Sequence, residues 1–243
     1  MNNDYNFGYK KVNSKQKTKL VQNVFSRVAP SYDIMNDLMS FGMHRLWKKR
    51  FVEIIDPKKN DIILDVGSGS GDIATELNKL ELSIKLYLLD LNKEMLRQGI
   101  NKFKGQKDIK FICGNAEKLS FKNNLFDHYI ISFCLRNVTE YKLSIKEAYR
   151  VLKPGGKYCC LEFSNPKSSL ISKTYKIYKS NILPFLGSVI AKDKNAYEYL
   201  SESIDLFPSQ EELCEIIADC GFKEVNSINL FNGIVAIHIG YKI

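Results

Sequence analysis

The chain has 243 residues, of which 44% are hydrophobic, 26% charged and 12% aromatic, and its formal net charge is +9. These values exclude disordered, collagen-like and low-complexity chains, and they are typical of a globular protein with a sizeable buried core. No run of eighteen apolar residues occurs, so the sequence predicts no membrane-spanning helix. The six cysteines form no C-x-x-C pair and lack metal-ligand spacing, which indicates a reduced, cytosolic protein without a metal site.

The positive charge is concentrated near the N-terminus. Twelve of the first 60 residues are Lys or Arg, whereas five are Asp or Glu. A basic surface attracts nucleic acid, anionic lipid or an acidic ligand, and charge alone does not choose among them. A lysine-rich surface that is simply solvated explains the same composition.

The predicted elements follow one another in the order of a parallel α/β sheet. From residue 61 onward, short apolar runs alternate with amphipathic stretches, which is the pattern of repeated βαβ units. The five predicted strands cover residues 62–66, 84–90, 109–113, 129–133 and 157–163. The helices predicted between them cover 72–80, 93–103 and 141–152, and a Lys-Pro-Gly-Gly turn follows at 153–156.

The C-terminal part predicts a helix at 208–220 and two further strands at 224–230 and 235–241, with Gly233 at the turn between them. Two strands joined this closely must be antiparallel, because a parallel return needs a long crossover. We therefore expect a Rossmann-like α/β fold with a mostly parallel seven-stranded sheet and one antiparallel strand near its edge.

Two segments do not belong to this alternation and are predicted as helical lids. They would lie over the carboxyl ends of the strands, where open α/β sheets bind ligands. The expected organisation is a single domain, residues 1–243, with an N-terminal lid at 15–55, a core at 61–164, a second lid inserted at 165–207 and a C-terminal tail at 208–243.

Three glycines follow the first predicted strand at two-residue spacing. The run is Asp65-Val66-Gly67-Ser68-Gly69-Ser70-Gly71, and the first predicted helix begins directly after it. Glycines allow the backbone to approach a ligand closely, and a helix N-terminus offers free N–H groups. The dinucleotide fingerprint has another spacing, G-x-G-x-x-G, and an acid before the loop would repel a pyrophosphate. An acid suits an ammonium group, so the loop indicates S-adenosylmethionine (SAM), which carries an amino acid and a sulfonium but no phosphate.

Further candidate ligand-binding residues fall at the carboxyl ends of the later strands. Asp90 ends the second strand, where an acid accepts hydrogen bonds from the hydroxyls of an adenosine ribose. Asn115 and Ala116 follow the third strand, where an adenine would lie. Ser132 falls near the end of the fourth strand, beside a loop at 133–137 that should face the reactive methyl group. Together these positions predict a binding site for an adenosine-containing ligand.

Longer strings extend this pattern over nearly the whole chain. DVGSG (65–69), with Asp90, Asn115-Ala116 and LKPGG (152–156), resembles a class I SAM-dependent methyltransferase. The remaining strings resemble one family, the ubiquinone/menaquinone biosynthesis C-methyltransferases: VFSRVA (24–29), YDIMND (32–37), SFGMHRLWK (40–48), LRNV (135–138), LEFS (161–164), YLSESI (199–204) and GYK (240–242). The resemblance runs from about residue 7 to the end of the chain.

The resemblance implies SAM as methyl donor, no metal, and C-methylation of a polyprenylated quinol ring. The acceptor would be the 2-polyprenyl-6-methoxy-1,4-benzoquinol of the ubiquinone pathway, a demethylmenaquinol of the menaquinone pathway, or both. The SAM-binding residues are then Asp65, Gly67, Gly69, Ser70, Asp90, Asn115, Ala116 and Ser132. Ser70 stands where many members have Thr and keeps the hydroxyl, and the loop at 66–69 departs mildly from the usual run.

Four residues are candidates for the chemistry. A quinol ring becomes a carbon nucleophile when a hydroxyl ionises, so the protein has to favour the phenolate and hold it near the methyl group. Arg136 is the leading candidate for stabilising that charge, and Asn137 for orienting a hydroxyl. His44 and Tyr32, in the N-terminal lid, are candidates for contacting or deprotonating the quinol.

Two of these candidates also have a structural interpretation. His44 stands beside Arg45 and would cap or pack the lid helix. Arg136 would form an ion pair with Asp37 or Glu162. The sequence leaves both alternatives open.

The resemblance also implies partners. A polyprenyl tail is insoluble in water, so the protein has to meet the membrane or a lipid-carrying protein of quinone biosynthesis. Lys173, Lys176 and Lys179 recur every three residues among apolar side chains, and a basic amphipathic surface binds anionic lipid. We expect peripheral contact with a bacterial inner membrane through residues 165–190 and the basic N-terminal region, with a lid packed on its own domain as the alternative. No nucleic acid partner is expected, and a homodimer is left open.

The N-terminal residues bear on source and acceptor. They contain neither the apolar segment of a secretory signal nor an Arg-rich, acid-poor leader, which favours a bacterial cytoplasm over a mitochondrial precursor. Phe7-Gly8-Tyr9 with Val12 resembles members from ubiquinone makers, which favours the benzoquinol.

Other functions fit the sequence less well. The glycine spacing disfavours an NAD-dependent oxidoreductase. A nucleic-acid methyltransferase would need an Asn-Pro-Pro-aromatic site or a catalytic cysteine after the fourth strand, whereas Ser132-Phe133-Cys134-Leu135 has no proline and Cys134 lies in an apolar strand end. A SAM-binding, non-catalytic scaffold of a quinone-biosynthesis complex, or a methyltransferase of another acceptor, stays open.

Overall fold

The computed structural model describes residues 4–29, 34, 36–37, 40–164, 166 and 194–243. Seven strands form one sheet in the order β5-β4-β3-β6-β7-β9-β8, and a hairpin of β1 and β2 precedes it. The strands are β1 Tyr5–Phe7, β2 Lys10–Val12, β3 Ile62–Val66, β4 Lys85–Asp90, β5 Ile109–Cys113, β6 Phe126–Ser132, β7 Leu152–Phe163, β8 Lys223–Leu230 and β9 Val235–Tyr241. The helices are α1 Ser14–Val28, α2 His44–Ile55, α3 Asp72–Asn78, α4 Lys93–Lys102, α5 Tyr141–Val151, α6 Lys194–Asp205 and α7 Gln210–Asp219, with short 3₁₀ turns at Leu135–Asn137 and Phe231–Gly233.

The centre of the sheet is parallel. β3 pairs with β4 on one side and β6 on the other, and the pairing continues from β4 to β5 and from β6 to β7. Successive side chains of β3 point to opposite faces, so Ile63 joins one buried cluster while Leu64 and Val66 join the other. Because both faces are covered, β3 is apolar at every position except Asp65, as expected for a central parallel strand. The carboxyl ends of these strands meet at one edge of the sheet.

The last strand is antiparallel, as the sequence predicted. β9 lies between β7 and β8 and runs antiparallel to both. The sheet is therefore mostly parallel, with its antiparallel strand one position from the edge, which confirms the predicted fold class.

Three local features differ from the sequence-based elements. Residues 5–12 form a hairpin that was not predicted, because strands of three residues are too short to show an alternating pattern. The predicted turn at 153–156 lies inside β7, where the register steps from Phe126 opposite Leu152 to His128 opposite Lys157. β6 begins at Phe126, three residues earlier than predicted, because the polar pair before Tyr129 concealed its start.

The N-terminal lid predicted at 15–55 contains α1 and α2. α1 begins with a capping box, in which the Asn13 side chain accepts the Gln16 N–H at 2.9 Å and the Gln16 side chain accepts the Asn13 N–H at 3.1 Å. α2 buries Trp47, whose ring meets Phe163 of β7 edge-on at 6.2 Å. Lys157, near the amino end of the β7 ladder, donates to the Ile54 carbonyl. The start of α2 therefore lies toward the carboxyl edge of the sheet.

Part of the second lid belongs to the described residues. α6 packs against the hairpin, where Phe7 stacks on Tyr199 at 4.3 Å between ring centroids. The predicted basic stretch with Lys173, Lys176 and Lys179 lies outside the described residues. None of the helices that the structure describes is both long and apolar enough to cross a membrane.

Candidate active site

The glycine loop joins β3 to α3 at the middle of the carboxyl edge. The N–H groups of Gly67 and Ser68 donate to the Leu89 carbonyl at 2.7 and 3.1 Å, which ties the loop to β4. Gly67 has a φ of +65°, and a Cβ at this residue would lie 2.1 Å from the sulfur of Cys134. The backbone conformation and the close approach of Cys134 both require glycine here.

Asp90 ends β4 beside this loop. Its Oδ2 accepts the Gly69 N–H at 2.9 Å, and its Oδ1 accepts the Asn92 N–H at 2.7 Å. Burial raises the pKa of Asp90, while these N–H groups act in the opposite direction. Each carboxylate oxygen keeps a further lone pair, so Asp90 can accept hydrogen bonds from both hydroxyls of a ribose.

Asp65 lies beneath the loop and is almost completely buried. Its Oδ2 has no hydrogen-bond partner among the described residues. Burial, and then the charges of Asp90 and Asp72, raise the pKa of Asp65 well above its usual value. A cation brought beside the loop would relieve this electrostatic cost, and the ammonium of an amino acid group is such a cation. The site therefore fits SAM at both its ribose and its amino acid end.

A partly enclosed cleft opens between this loop and α1. Six of the eight predicted SAM-binding residues line it: Gly67, Gly69, Asp90, Asn115, Ala116 and Ser132. Asp65 lies under it, and Ser70 lies outside that lining, where its Oγ is 3.4 Å from the Asp72 carboxylate. The structure thus brings together residues from four strand ends, as the sequence predicted.

One wall of the cleft was missed in the sequence analysis. α1 contributes Thr18, Val21, Gln22 and Phe25, which recur at the spacing of one helix face. The Asn92 side chain holds the helix there by donating to the Gln22 carbonyl at 3.1 Å. The helical spacing was a usable signal, but only the contact with Asn92, in the loop after β4, shows which face of α1 points to the cleft.

Arg136 lies in the 3₁₀ turn after β6 and is buried against Glu162. Its Nη1 donates to Glu162 Oε1 at 2.6 Å and to the Phe133 carbonyl at 2.8 Å, and its guanidinium lies 5.3 Å from the centre of the Phe163 ring. Burial raises the pKa of Glu162, and the charge of Arg136 opposes that shift. Of the two ion pairs considered for Arg136, the structure has the one with Glu162. Its Nε–H has no partner among the described residues.

A second, much narrower apolar space lies next to the cleft. It shares Phe25 and Phe133 with the cleft, and its other walls are Val24, Val28, Asn36, Arg136, Phe163, Ala196, Tyr199 and Leu200. Asn137 lines the main cleft, and its Oδ1 accepts a hydrogen bond from the Tyr199 hydroxyl at 2.9 Å. Arg136 and Asn137 therefore face the two neighbouring spaces.

His44 is placed away from the described walls of both cavities. Its Nε2 lies 3.0 Å from Asp37 Oδ1, and Asp37 also receives two hydrogen bonds from Arg45. Burial, with the charge of Lys48, lowers the pKa of His44. In the described residues His44 therefore has a structural contact, as its alternative interpretation predicted. The fourth candidate, Tyr32, lies outside the described residues.

Comparisons with known proteins identify the family. The sequence model of the ubiE/COQ5 methyltransferase family matches residues 10–242. The chain belongs to this family. It is 52% identical over 251 aligned positions to the ubiquinone/menaquinone biosynthesis C-methyltransferase UbiE of Rickettsia bellii, covering 99% of this chain and 100% of the relative. The UbiE protein of Rickettsia prowazekii is also 52% identical, with 98% of each chain covered.

Solved structures agree on the fold. A SAM-dependent methyltransferase of Thermotoga maritima superposes with a TM-score of 0.66 at 20% identity, covering 92% of this chain and all of that one. A phosphoethanolamine N-methyltransferase of Haemonchus contortus, solved with SAM, has a TM-score of 0.61 at 18% identity and covers 81% of this chain and 52% of its own. The chain is therefore a SAM-dependent methyltransferase of the ubiE/COQ5 family with a class I methyltransferase fold.

The arrangement fits what a family of methyltransferases has to do. The described residues place Asp65, whose buried Oδ2 has no hydrogen-bond partner among them, beneath the glycine loop, and Asp90 beside the loop at the end of β4. They also place an apolar cavity with one guanidinium directly beside the cleft. Within the described part of the chain, no group of three or more His, Cys, Asp or Glu side chains is arranged to hold a metal ion.

Proposed function

We propose that this protein transfers the methyl group of SAM to a ring carbon of a polyprenylated quinol in ubiquinone or menaquinone biosynthesis. The single observation that carries the proposal is the apolar cavity beside the SAM cleft. It shares the rings of Phe25 and Phe133 with the cleft and contains Arg136 as its charged side chain. The names of the full-length relatives support the same acceptor class.

The cavity walls favour a flat apolar ring. Phe25, Phe133 and Phe163 offer aromatic faces and edges, which pack well against another ring. A carboxylic or phosphorylated acceptor would leave most of its charge against these apolar walls, which is costly. The Nε–H of Arg136 has no partner among the described residues and is a donor available to a ring oxygen.

Arg136 and the phenylalanine side chains of the cavity would act on the acceptor rather than on the methyl donor. When bound, SAM supplies an electrophilic methyl group on a sulfonium. Arg136 would stabilise the quinolate, and the ion pair with Glu162 would keep the guanidinium in place. The walls formed by Phe25 and Phe133 would hold the ring at near-attack distance and exclude water.

The experiment uses purified protein, methyl-labelled SAM and two reduced short-chain acceptors, a 6-methoxybenzoquinol and a demethylnaphthoquinol. Label should appear on at least one acceptor, and the ratio between the two assigns the pathway. Asp90→Ala should lose SAM binding and transfer together. Tight SAM binding by the wild type without label on either ring would refute the quinol acceptor.

Membrane contact is a second part of the proposal, because a polyprenyl chain has to be taken from lipid. Phe41 is 75% exposed and Leu46 is 59% exposed near the start of α2, at the carboxyl edge. Lys49 and Arg50 are exposed on the same helix. Apolar side chains beside basic ones are suited to an anionic lipid surface.

Co-sedimentation with vesicles tests this contact. The wild type should bind vesicles containing anionic lipid more strongly than neutral ones, and Phe41→Ser with Leu46→Ser should weaken the binding at least tenfold. Ile243→Ser is the matched control, because Ile243 is also exposed (73%) but follows the end of β9, at the edge of the sheet opposite to the proposed membrane contact. Equal binding of both variants would contradict a contact through the N-terminal lid.

A further inference from the structure

Tyr199 connects three parts of the molecule. It lies on α6 and is buried, its ring stacks on Phe7 of the hairpin, and its hydroxyl donates to Asn137 Oδ1 at 2.9 Å. Tyr199 lines the apolar cavity, whereas Asn137 lines the SAM cleft. The hydrogen bond therefore joins the two spaces in which the reacting groups would lie.

This hydrogen bond fixes the orientation of the Asn137 carboxamide, with its oxygen toward Tyr199. Burial raises the pKa of Tyr199, so its hydroxyl stays protonated and acts as a donor. A donor has to meet the carbonyl oxygen of the carboxamide, and the NH₂ group must then point the other way. That Nδ2 lies 3.4 Å from the Phe133 carbonyl, which is a long contact that leaves an N–H available.

We propose that Tyr199 is a positioning residue, which holds the Asn137 carboxamide with its N–H toward the ring oxygen of the acceptor. The inference rests on the proposed quinol acceptor and extends it. Without the tyrosine hydroxyl, Asn137 Oδ1 would be buried without a partner and the carboxamide could turn over. Its carbonyl would then face the quinolate oxygen and repel it.

The step that Asn137 would serve begins with ionisation of the quinol. One hydroxyl gives its proton to water before the ring is enclosed. The adjacent ring carbon then forms a bond to the methyl carbon as the carbon–sulfur bond breaks and its electron pair stays on sulfur. The ring hydrogen finally passes to water as a proton as the site reopens, which restores the aromatic ring. An N–H at the ring oxygen stabilises the ionised form more than the neutral one. Tyr199 would thus raise the fraction of quinolate at neutral pH.

The decisive variant is Tyr199→Phe, which keeps the ring stacked on Phe7 and removes only the hydroxyl. Phe7→Leu is the matched control, because it removes the stacking and keeps the hydroxyl. Asn137→Ala, alone and combined with Tyr199→Phe, shows whether the hydroxyl acts through Asn137. The dissociation constant of SAM, from calorimetry, should stay within about twofold of wild type in Tyr199→Phe and Phe7→Leu.

The test uses two measurements, the pH dependence of turnover and the pKa of a bound analogue. In the first, kcat and KM are followed against pH with a short-chain quinol. Loss of one neutral hydrogen bond should lower kcat of Tyr199→Phe at pH 7 by about three- to tenfold and move the inflection of its pH profile up by about half to one unit. Phe7→Leu should keep the wild-type inflection, and the double variant should be no slower than Asn137→Ala.

In the second readout, a phenol analogue whose ionisation changes its absorbance is titrated while bound, so no turnover is needed. Its bound pKa should be higher in Tyr199→Phe than in wild type and unchanged in Phe7→Leu. The proposal is refuted if the pH profile and the bound pKa of Tyr199→Phe match wild type, or if the two substitutions act additively. Absence of methyl transfer by the wild type, with a shifted analogue pKa, would instead refute the quinol function alone.

Discussion

The packing of the glycine loop against Cys134 sets the cost of adding a single methyl group to it. In Gly67→Ala, the new Cβ would lie 2.1 Å from the sulfur and 2.5 Å from the Cβ of Cys134, at a φ of +65°. The left-handed backbone costs an L-residue about 1–2 kcal/mol, and forcing an extra methyl into a packed site costs about 1–3 kcal/mol more. We expect Gly67→Ala to lose about 2–5 kcal/mol of unfolding free energy.

Gly105→Ala separates the two costs. Gly105 has a φ of +90°, but a Cβ there has nothing within 4 Å. This variant should lose only the backbone part, about 1–2 kcal/mol, and bind SAM as the wild type does. If the glycine loop of Gly67→Ala moves away from Cys134 to avoid the clash, SAM binding has to return the loop to its original position against that clash. The affinity for SAM should then fall about 30-fold or more.

The assay is urea unfolding and SAM calorimetry on both variants. Cys134→Gly in the Gly67→Ala background should recover part of the lost affinity, measured against Cys134→Gly alone. Wild-type SAM affinity in Gly67→Ala, or an equal loss in Gly105→Ala, would refute the packing argument.

Three further outcomes are expected. Asp65→Asn removes a buried carboxyl group whose ionisation is costly and whose Oδ2 has no partner among the described residues. The SAM-free protein should therefore gain about 1 kcal/mol of unfolding free energy while its affinity for SAM falls tenfold or more, and a less stable SAM-free variant would contradict this. Lys48→Met breaks a largely buried 2.6 Å ion pair with Asp72 at the start of α3, so the melting temperature and the affinity for SAM should both fall. Lys79→Met breaks a largely exposed ion pair with Glu76 and should change the free energy of unfolding by less than about 1 kcal/mol. Burial lowers the pKa of His238 to about 4 in the folded protein. As the pH falls below about 6.5, His238 therefore becomes protonated in the unfolded chain before it does so in the folded one, which favours unfolding. Between pH 7 and 4.5 the wild type should lose about 2.5 kcal/mol more unfolding free energy than His238→Gln, and parallel pH curves would contradict the buried neutral imidazole.

The sheet was predictable because its signals are local. Each parallel strand is a short apolar run between amphipathic helices. The short connection at Gly233 requires the two strands that it joins to be antiparallel. That most of the predicted SAM-binding residues line one cleft was predictable for the same reason, since the carboxyl ends of parallel strands necessarily meet. The hairpin at 5–12 carried no such signal, because its stability comes from contacts such as that of Phe7 with Tyr199.

The environment of the candidate catalytic residues could not be predicted in the same way. The sequence left Asp37 and Glu162 open as partners of Arg136, and only the packing selects Glu162, which lies 26 positions away on a neighbouring strand. The pairing of Asn137 with Tyr199 spans 62 positions and depends on how α6 packs. One sequence shows which residues are polar, but the partners of each follow only from the tertiary packing.

Carbon-13 NMR of the product locates the transferred methyl group and so distinguishes methylation at carbon from methylation at oxygen. The purified protein is incubated with ¹³C-methyl SAM and the reduced acceptor that takes up label, and the product is examined by carbon-13 NMR. We predict a methyl carbon bonded to a ring carbon, beside the original hydroxyl groups, and no such signal with Asp90→Ala. A methyl carbon on a ring oxygen would contradict the account, because the quinolate would then have reacted at the oxygen that Arg136 and Asn137 are proposed to hold.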